Sequence, residues 1–178
     1  MVKEISVRPK AKNNNAKIAF FATLFLSAIG FVTYFMMDRY RGFVGMVSLM
    51  VLITAILIYT KYIAPVFTYD IALDIDGAPL FIVRQTVGRR ISTLCRVWLS
   101  DVSSIEREDK ATRKAHKTPV GFRKYIYAPT MFPSEVYRLT LNGRYEKSEI
   151  VIECSEEFAD LLREAVAEAK ALNIASEE

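Results

Sequence analysis

A basic stretch in the second half of the chain holds most of the side chains that could bind a charged ligand. Residues 107–124 carry seven lysines and arginines against Glu108 and Asp109, a local charge of +5, while the whole chain has +4. The only histidine, His116, lies inside this stretch. Cations held near a membrane attract anionic lipid, and they also attract acidic proteins. The residues predicted to make such contacts are Lys110, Arg113, Lys114, Lys117, Arg123 and Lys124.

A plain solvated loop is the alternative interpretation of the same residues. The stretch connects two predicted strands, and connections of this kind run over the surface, where charged side chains are common. The two interpretations predict different effects of salt. A basic surface that binds an anionic partner should lose affinity as ions screen the charges, whereas a solvated loop has no such contact to lose.

Sequence patterns that indicate catalysis are absent. The chain has no P-loop, no Gly-x-Ser-x-Gly, no His-Glu-x-x-His and no Cys-x-x-Cys. His116 has no evident carboxylate to orient its ring, and no nucleophile can be assigned to it. Asp74 and Asp76 share one face of a predicted strand end, which favours a turn over a cation site. We therefore predict no catalytic residue, no metal site, no cofactor and no enzymatic activity.

Composition also bears on redox state and on nucleic acid. Cys95 and Cys154 are expected to be reduced, partly buried thiols rather than a disulfide. A net charge of only +4 and an acidic C-terminal helix leave no broad basic face. Nucleic acid is therefore not an expected partner.

Two apolar runs near the N-terminus explain a hydrophobic content of 52%. Residues 18–37 and 42–60 contain no charged side chain. Each run is about 20 residues, the length that crosses roughly 30 Å of hydrocarbon. A buried helical pair and a cleaved signal peptide are the alternatives, but no small-residue cleavage site follows the first run. We predict two transmembrane helices, about 18–37 and 42–62, in a hairpin of residues 18–64.

The basic residues that flank the hairpin predict its orientation. Residues 1–17 carry five basic side chains against Glu4, whereas the connecting turn has two arginines against Asp38. The more basic flank stays in the cytoplasm. Both chain ends are therefore expected in the cytoplasm, below a plasma or inner membrane. The five basic residues are Lys3, Arg8, Lys10, Lys12 and Lys17.

Small residues form a stripe on each apolar run, and small residues let membrane helices approach closely. The predicted helix-packing residues are Ala19, Thr23, Ser27, Gly45 and Ser48. Contact between the two helices is the first interpretation, and self-association with other chains is the second. Because no ionisable residue lies inside either run, we interpret the hairpin as an anchor rather than a transport pathway.

From residue 66 onward the pattern changes to short β-rich runs separated by turn signals. The predicted strands are 66–75, 80–87, 90–99, 102–106, 122–128, 135–141 and 149–154. Ile91, Thr93, Cys95, Val97 and Leu99 are predicted to share one face of the third strand. A helix then begins after Ser155, with an apolar stripe for the core made of Phe158, Leu161, Leu162, Ala165, Ala169 and Leu172.

Two segments resemble a known family. Residues 150–162, IVIECSEEFADLL, are similar to the last strand and capping helix of bacterial pleckstrin-homology-like (PH-like) domains. Residues 99–106, LSDVSSIE, resemble the turn into their fourth strand. A membrane hairpin before such a domain is also a familiar bacterial arrangement. The resemblance implies an α+β domain over residues 66–173, a seven-stranded barrel of two antiparallel sheets capped by the C-terminal helix, and a tail of residues 174–178.

The resemblance implies a binding or scaffolding role rather than a fixed function. Eukaryotic relatives bind phosphoinositides with basic residues at the first strand turn, but here the turn reads Asp74-Ile75-Asp76-Gly77, which repels phosphate. The usual Trp of the eukaryotic capping helix is absent, and the only Trp, Trp98, lies on the third predicted strand. We expect a non-catalytic, membrane-anchored module. The alternative is a structural subunit of a membrane complex assembled through the hairpin.

Overall fold

The computed structural model describes residues 4–9, 14–133, 135–143 and 147–177 of the chain. Lys3, Lys10 and Lys12 of the predicted N-terminal basic segment lie outside these residues. The helices are α1 (Asn15–Met36), α2 (Arg41–Ile58), α3 (Lys110–Ala115) and α4 (Glu156–Glu177). The strands are β1 (Ile5–Val7), β2 (Pro65–Leu73), β3 (Pro79–Val87), β4 (Arg90–Trp98), β5 (Val102–Glu108), β6 (Arg123–Tyr127), β7 (Val136–Asn142) and β8 (Lys147–Ile152).

The chain forms two compact units. The first consists of residues 1–10, 66–129 and 133–178, and the second of residues 11–65 and 130–132. The α+β class predicted from the sequence is confirmed, because strands and helices both contribute to the first unit.

The second unit is dominated by the apolar hairpin. Asn15–Met36 and Arg41–Ile63, in which a π-helical turn continues α2, are long and apolar enough to cross a membrane, with mean hydropathies of 2.0 and 2.3. Ser27 and Ser48 are buried where α1 meets α2, and the Ser27 hydroxyl donates to the Ser48 carbonyl over 3.1 Å. A methyl group on Gly30 would overlap the Ser48 hydroxyl. Small side chains therefore set how closely the helices approach.

Sheet A has the order β1-β2-β3-β4. The Asp74 amide donates to the Ala78 carbonyl over 2.8 Å and closes the turn between β2 and β3. A two-residue turn with Gly88 at φ +60° joins β3 to β4, as expected for a tight hairpin that needs a positive φ at its first central residue. β1 was not predicted. It pairs antiparallel with β2 in the register Ile5↔Ile71 and Val7↔Tyr69.

Sheet B has the order β5-β7-β8-β6, and it corrects the predicted barrel of two antiparallel sheets. β6 pairs with β8 in parallel, in the register Arg123↔Ser148 to Tyr127↔Ile152. Parallel neighbours need a connection longer than a hairpin turn, and here β7 intervenes between them along the chain. There are eight strands among the described residues, in two four-stranded sheets that are not closed into a barrel.

Both sheets and α4 enclose one apolar core. Tyr69, Phe81, Leu139, Ile152 and Phe158 are fully or almost fully buried in it. Of the predicted α4 stripe, Phe158, Leu162, Ala165 and Ala169 are in the core, but Leu161 and Leu172 are 39% and 54% exposed. Val166 is buried in their place, so the buried face is rotated slightly along the helix. α4 continues through part of the predicted tail, as far as Glu177.

A β-bulge corrects the predicted face of the third strand. Val83 pairs with Cys95 and Arg84 pairs with Thr93, so Leu94 is an extra residue in β4. An extra residue reverses which face the following side chains occupy. Cys95 and Val97 pack against the core, whereas Ile91, predicted to share their face, is 69% exposed.

Candidate functional site

The basic stretch begins in β5 and continues as the short helix α3, which the sequence did not predict. Asp109 is its N-cap: one carboxylate oxygen accepts from the amides of Ala111 (2.9 Å) and Thr112 (2.8 Å). The Thr112 hydroxyl oxygen accepts from the Asp109 amide over 2.9 Å, which completes a capping box. The hydrogen bonds from Thr112 lower the pKa of Asp109. Sequence-local contacts therefore fix the first turn.

Three further contacts hold the second half of this segment. The Arg113 guanidinium donates to the Pro133 carbonyl over 2.8 Å. The His116 imidazole Nε2 lies 2.9 Å from Glu149 Oε1, and the Thr118 hydroxyl donates to Glu149 Oε2 over 3.1 Å. Glu149 is only 2% exposed, and both of its oxygens have partners. Residues 109–118 are thus held by hydrogen bonds at both ends.

Glu149 lies on the face of sheet B that is turned away from the core. Ile150 and Ile152 of β8 are core residues, so Glu149 and Val151 occupy the opposite face. On that face the buried Arg138 of β7 forms an ion pair with the buried Glu108 of β5. Burial lowers the pKa of Arg138, and the nearby carboxylate of Glu149 counteracts part of this effect. The second face of sheet B therefore carries buried charges, not an apolar surface.

The structure gives different roles to the six predicted contact residues. Lys110, Lys114 and Lys117 are exposed. Arg113 is partly buried and bound to the backbone at Pro133. Arg123 and Lys124 are exposed on β6, opposite Ser148 and Glu149 in the parallel register. We name the exposed group Lys110, Lys114 and Lys117 the lysine surface.

The predicted helix-packing residues are divided between two kinds of contact. Ser27 and Ser48 meet between the helices. Gly45 faces the Tyr34 ring, and a methyl group added to Gly45 would lie 3.0 Å from a ring carbon. The Thr23 hydroxyl instead donates to the Ala19 carbonyl of its own helix over 2.8 Å. Ser27, Gly30 and Ser48 form the close approach of small residues, and the Phe20 and Tyr59 rings, 5.6 Å apart, make a further contact toward the other end of the hairpin.

An open cleft next to α3 is lined by Arg107, Asp109, Thr112 and Glu135. Its polar groups are already engaged: Arg107 pairs with Glu135 at 3.0 Å and with Glu156 at 3.4 Å, while Asp109 and Thr112 form the capping box. These ion pairs raise the pKa of Arg107. The polar groups that line this cleft thus bind one another and stabilise the local structure.

The cysteines are free thiols that pack next to the core. Burial raises the pKa of Cys95 to about 11 and that of Cys154 to about 12. Thiols with such values are almost entirely protonated near neutral pH and are poor nucleophiles. Within the described ranges, no group of three His, Cys, Asp or Glu side chains is arranged to hold a metal ion.

Glu149 is the residue of this site that sequence reasoning missed. The statement that His116 lacks a carboxylate to orient it is wrong, because Glu149 of β8 supplies one across 33 positions of the chain. The sequence does show a Glu between Ser148 and Ile150 in a β-rich run. It does not show which strand or loop lies beside that Glu, so its partner could not be identified. Comparison with known proteins adds no assignment: no family model, no curated protein and no solved structure matches this chain.

Proposed function

We propose that this protein is a non-catalytic, membrane-anchored binding module. In this proposal α1 and α2 cross the inner membrane as a hairpin, and the α+β domain lies at its cytoplasmic face. The lysine surface then makes electrostatic contact with anionic lipid headgroups or with an acidic protein partner. The observation that carries the proposal is the pairing of β1 with β2, which unites the two flanks of the apolar hairpin in one sheet.

The β1–β2 pairing supports a hairpin that enters and leaves the bilayer on one side. β1 precedes α1 and β2 follows α2, so one folded domain is built from both flanks. A chain that crossed the membrane once, or whose flanks were on opposite sides, could not form this ladder. The low burial of both helices, 6% and 17% of their most apolar windows, also supports lipid contact over a soluble core.

The fixed backbone of residues 109–118 supports a binding role for the lysine surface. A capping box, the Arg113 contact and the Glu149 contacts already order this segment, so binding would not have to order it. Preorganisation of this kind increases affinity because less conformational entropy is lost on association. A solvated loop needs none of these contacts.

We also propose that the domain is a variant of the PH-like fold. The order of seven strands after the hairpin followed by a helix supports this. The parallel β6–β8 pair and the two open sheets depart from the family pattern. The alternative function, a structural subunit joined through the hairpin, is less favoured, since Ser27, Gly30 and Ser48 already serve the contact between α1 and α2.

Hydrogen exchange on the full-length chain in lipid nanodiscs tests the contact. We expect amides of residues 110–118 to exchange more slowly in anionic than in neutral nanodiscs, and the difference to disappear in high salt and in the triple variant Lys110→Gln, Lys114→Gln, Lys117→Gln. The control replaces Lys147 and Lys170, which lie outside both the segment and the apolar hairpin.

Equal exchange in both nanodiscs would exclude lipid as the ligand. Cross-linking in native membranes would then have to recover a protein with the wild-type chain and lose it with the triple variant. If neither contact is found, the lysine surface is only solvated. Anchoring is tested separately with an epitope tag at each chain end. Protease added to the cytoplasmic side of the membrane should remove both tags, and protease added to the other side should remove neither.

A further inference from the structure

The end of the β3–β4 hairpin combines exposed apolar side chains with positive charge. Beyond the β-bulge, residues 85–94 read QTVGRRISTL and contain two arginines and no acidic residue. Val87, Ile91 and Leu94 are 44%, 69% and 39% exposed. Arg89 and Arg90 are exposed as well. We name residues 85–94 the hairpin tip.

The topology of sheet A fixes where the hairpin tip lies relative to the chain entering the domain. β2 and β3 are neighbours of nine residues each, joined by the turn that the Asp74–Ala78 hydrogen bond closes. Counting outward from that turn, the end of β3 at Val87 lies beside the start of β2. Neighbouring strands are about 4.8 Å apart. The hairpin tip therefore lies at the end of the sheet where β2 begins.

Only a short link of chain separates the start of β2 from the second apolar segment. The second apolar segment ends at Ile63, and Val66 follows three residues later. Three extended residues reach at most about 10 Å. In the proposed anchoring this link is comparable to the Debye length of about 8 Å at physiological salt, so charges near the start of β2 are only partly screened from the headgroups.

The two ends of sheet A have opposite character. The far turn carries Asp74 and Asp76, of which Asp74 pairs with Arg96 over 2.5 Å. The near end carries Arg89 and Arg90 beside the apolar side chains of Val87 and Ile91. An anionic surface therefore attracts the near end more strongly than the far one. Exposed aliphatic side chains also gain by entering the boundary between headgroups and acyl chains.

We propose that the hairpin tip docks on the anionic leaflet of the membrane that holds the hairpin, with Val87 and Ile91 inserted at the headgroup level and Arg89 and Arg90 on lipid phosphates. This inference rests on the anchoring in the proposed function. It adds a second contact, distinct from the lysine surface, that holds the domain in one orientation on the bilayer.

Depth-dependent fluorescence quenching tests the proposal on the full-length chain. The single tryptophan is removed by Trp98→Phe, and Ile91→Trp places one indole on the hairpin tip. In nanodiscs that contain phosphatidylglycerol and phosphatidylcholine brominated near the headgroup, we expect strong quenching. The quenching should be lost with Arg89→Gln and Arg90→Gln, and it should be weak in nanodiscs of phosphatidylcholine alone.

The matched control places the indole at the opposite turn by Ile75→Trp, again with Trp98→Phe. Ile75 is fully exposed, so this substitution samples the acidic end without changing the core. Quenching as strong at position 75 as at position 91, or no quenching at position 91, would overturn the proposal. A chain that does not enter nanodiscs at all would instead disprove the anchoring. Circular dichroism of each variant verifies that the fold is kept.

Discussion

At the scale of single residues, the His116–Glu149 contact determines whether the basic segment stays on sheet B. Glu149 is only 2% exposed. Leaving a buried hydrogen-bond acceptor without its donor costs more free energy than the hydrogen bond contributes to stability when it is formed. Its three-point arrangement with His116 and Thr118 joins residues far apart along the chain. It is also the contact that a local reading of the sequence cannot find.

We expect His116→Ala to destabilise the domain by about 1–3 kcal/mol, because it leaves one oxygen of Glu149 buried without that partner. Amide exchange in residues 112–118 should accelerate more than in β2 or β3. Chemical denaturation and hydrogen exchange measure both effects. Lys117→Ala, at the adjacent exposed position, is the control and should change neither. Unchanged exchange in the His116 variant would show that Glu149 does not hold the segment.

The partly buried thiols give a second test at this scale. With pKa values of about 11 and 12 against an ordinary 9.0, Cys95 and Cys154 should react with a maleimide near pH 8 at least about a hundredfold more slowly than an unperturbed thiol. Because the fold favours the neutral thiols, their contribution to stability is complete below pH 9 and is lost as pH rises through the folded-state pKa values.

Stopped-flow modification in buffer and in denaturant compares the folded and unfolded chains. Both thiols should become rapidly reactive once the chain unfolds. Rapid modification of the folded chain near pH 8 would contradict the burial of these groups.

At the scale of elements, local sequence signals specify α1, α2, α4 and most strands, but neither α3 nor the neighbours of each strand. The alternation in residues 135–141 and the cap at Ser155 predict β7 and α4 because the signal lies within each element. The partner of β6 is decided elsewhere, so the parallel pairing with β8 could not be read from residues 123–127. The bulge at Leu94 is likewise a property of the β3–β4 pair. β1 has only three residues, too few for a periodic pattern.

Removal of the α3 cap by Asp109→Ala should cost about 1 kcal/mol, because two backbone amides lose their acceptor. The destabilisation should be smaller than that of His116→Ala, since Asp109 is exposed and water replaces its hydrogen bonds. Hydrogen exchange at Ala111 and Thr112 provides the measurement. Asp109→Asn, which retains a capping oxygen, should recover most of the loss; a loss as large as that of alanine would contradict the capping role.

The close approach of α1 and α2 makes Gly30 sensitive to substitution. Gly30→Ala places a methyl group on top of the Ser48 hydroxyl and 3.0 Å from its Cβ, so Ser48 or the whole helix must move. Overpacking of this kind costs about 1–3 kcal/mol. Thermal unfolding in detergent should show the loss for Gly30→Ala and none for Gly42→Ala, where no atom lies within 4 Å of the new methyl group. Equal midpoints for the two variants would argue against tight packing at Gly30.

At the scale of the whole molecule, β1 makes the domain depend on both flanks of the hairpin. Ile5 and Val7 pack against the core, while Ser6 between them is exposed. The predicted domain of residues 66–173 therefore omits a strand that the folded unit includes. The sequence places the apolar hairpin and the β-rich region correctly as elements. Their joining through β1 depends on contact between segments that are distant along the chain.

We expect Val7→Asp to lower the stability of the domain by about 2 kcal/mol, because it removes an apolar contact and places a carboxylate beside Tyr69. The neighbouring substitution Ser6→Asn is the control, since Ser6 is exposed. Limited proteolysis of the full-length chain in detergent should cleave the Val7 variant faster within sheet A. Equal cleavage rates for the two variants would mean that β1 contributes little to the folded unit.

The pairing of β1 with β2 also has a consequence for biogenesis. β1 is translated first, but its partner Ile71 follows Ile5 by 66 positions, and both apolar helices are made between them. Closing so long a loop is entropically unfavourable. In the proposed anchoring, insertion of the hairpin brings its two flanks together and removes most of this cost. A chain whose helices fail to insert would then carry β2 as an uncovered edge strand, which is prone to aggregation and to recognition by proteases. Under the proposed anchoring, completion of sheet A is therefore coupled to insertion of the hairpin into the membrane.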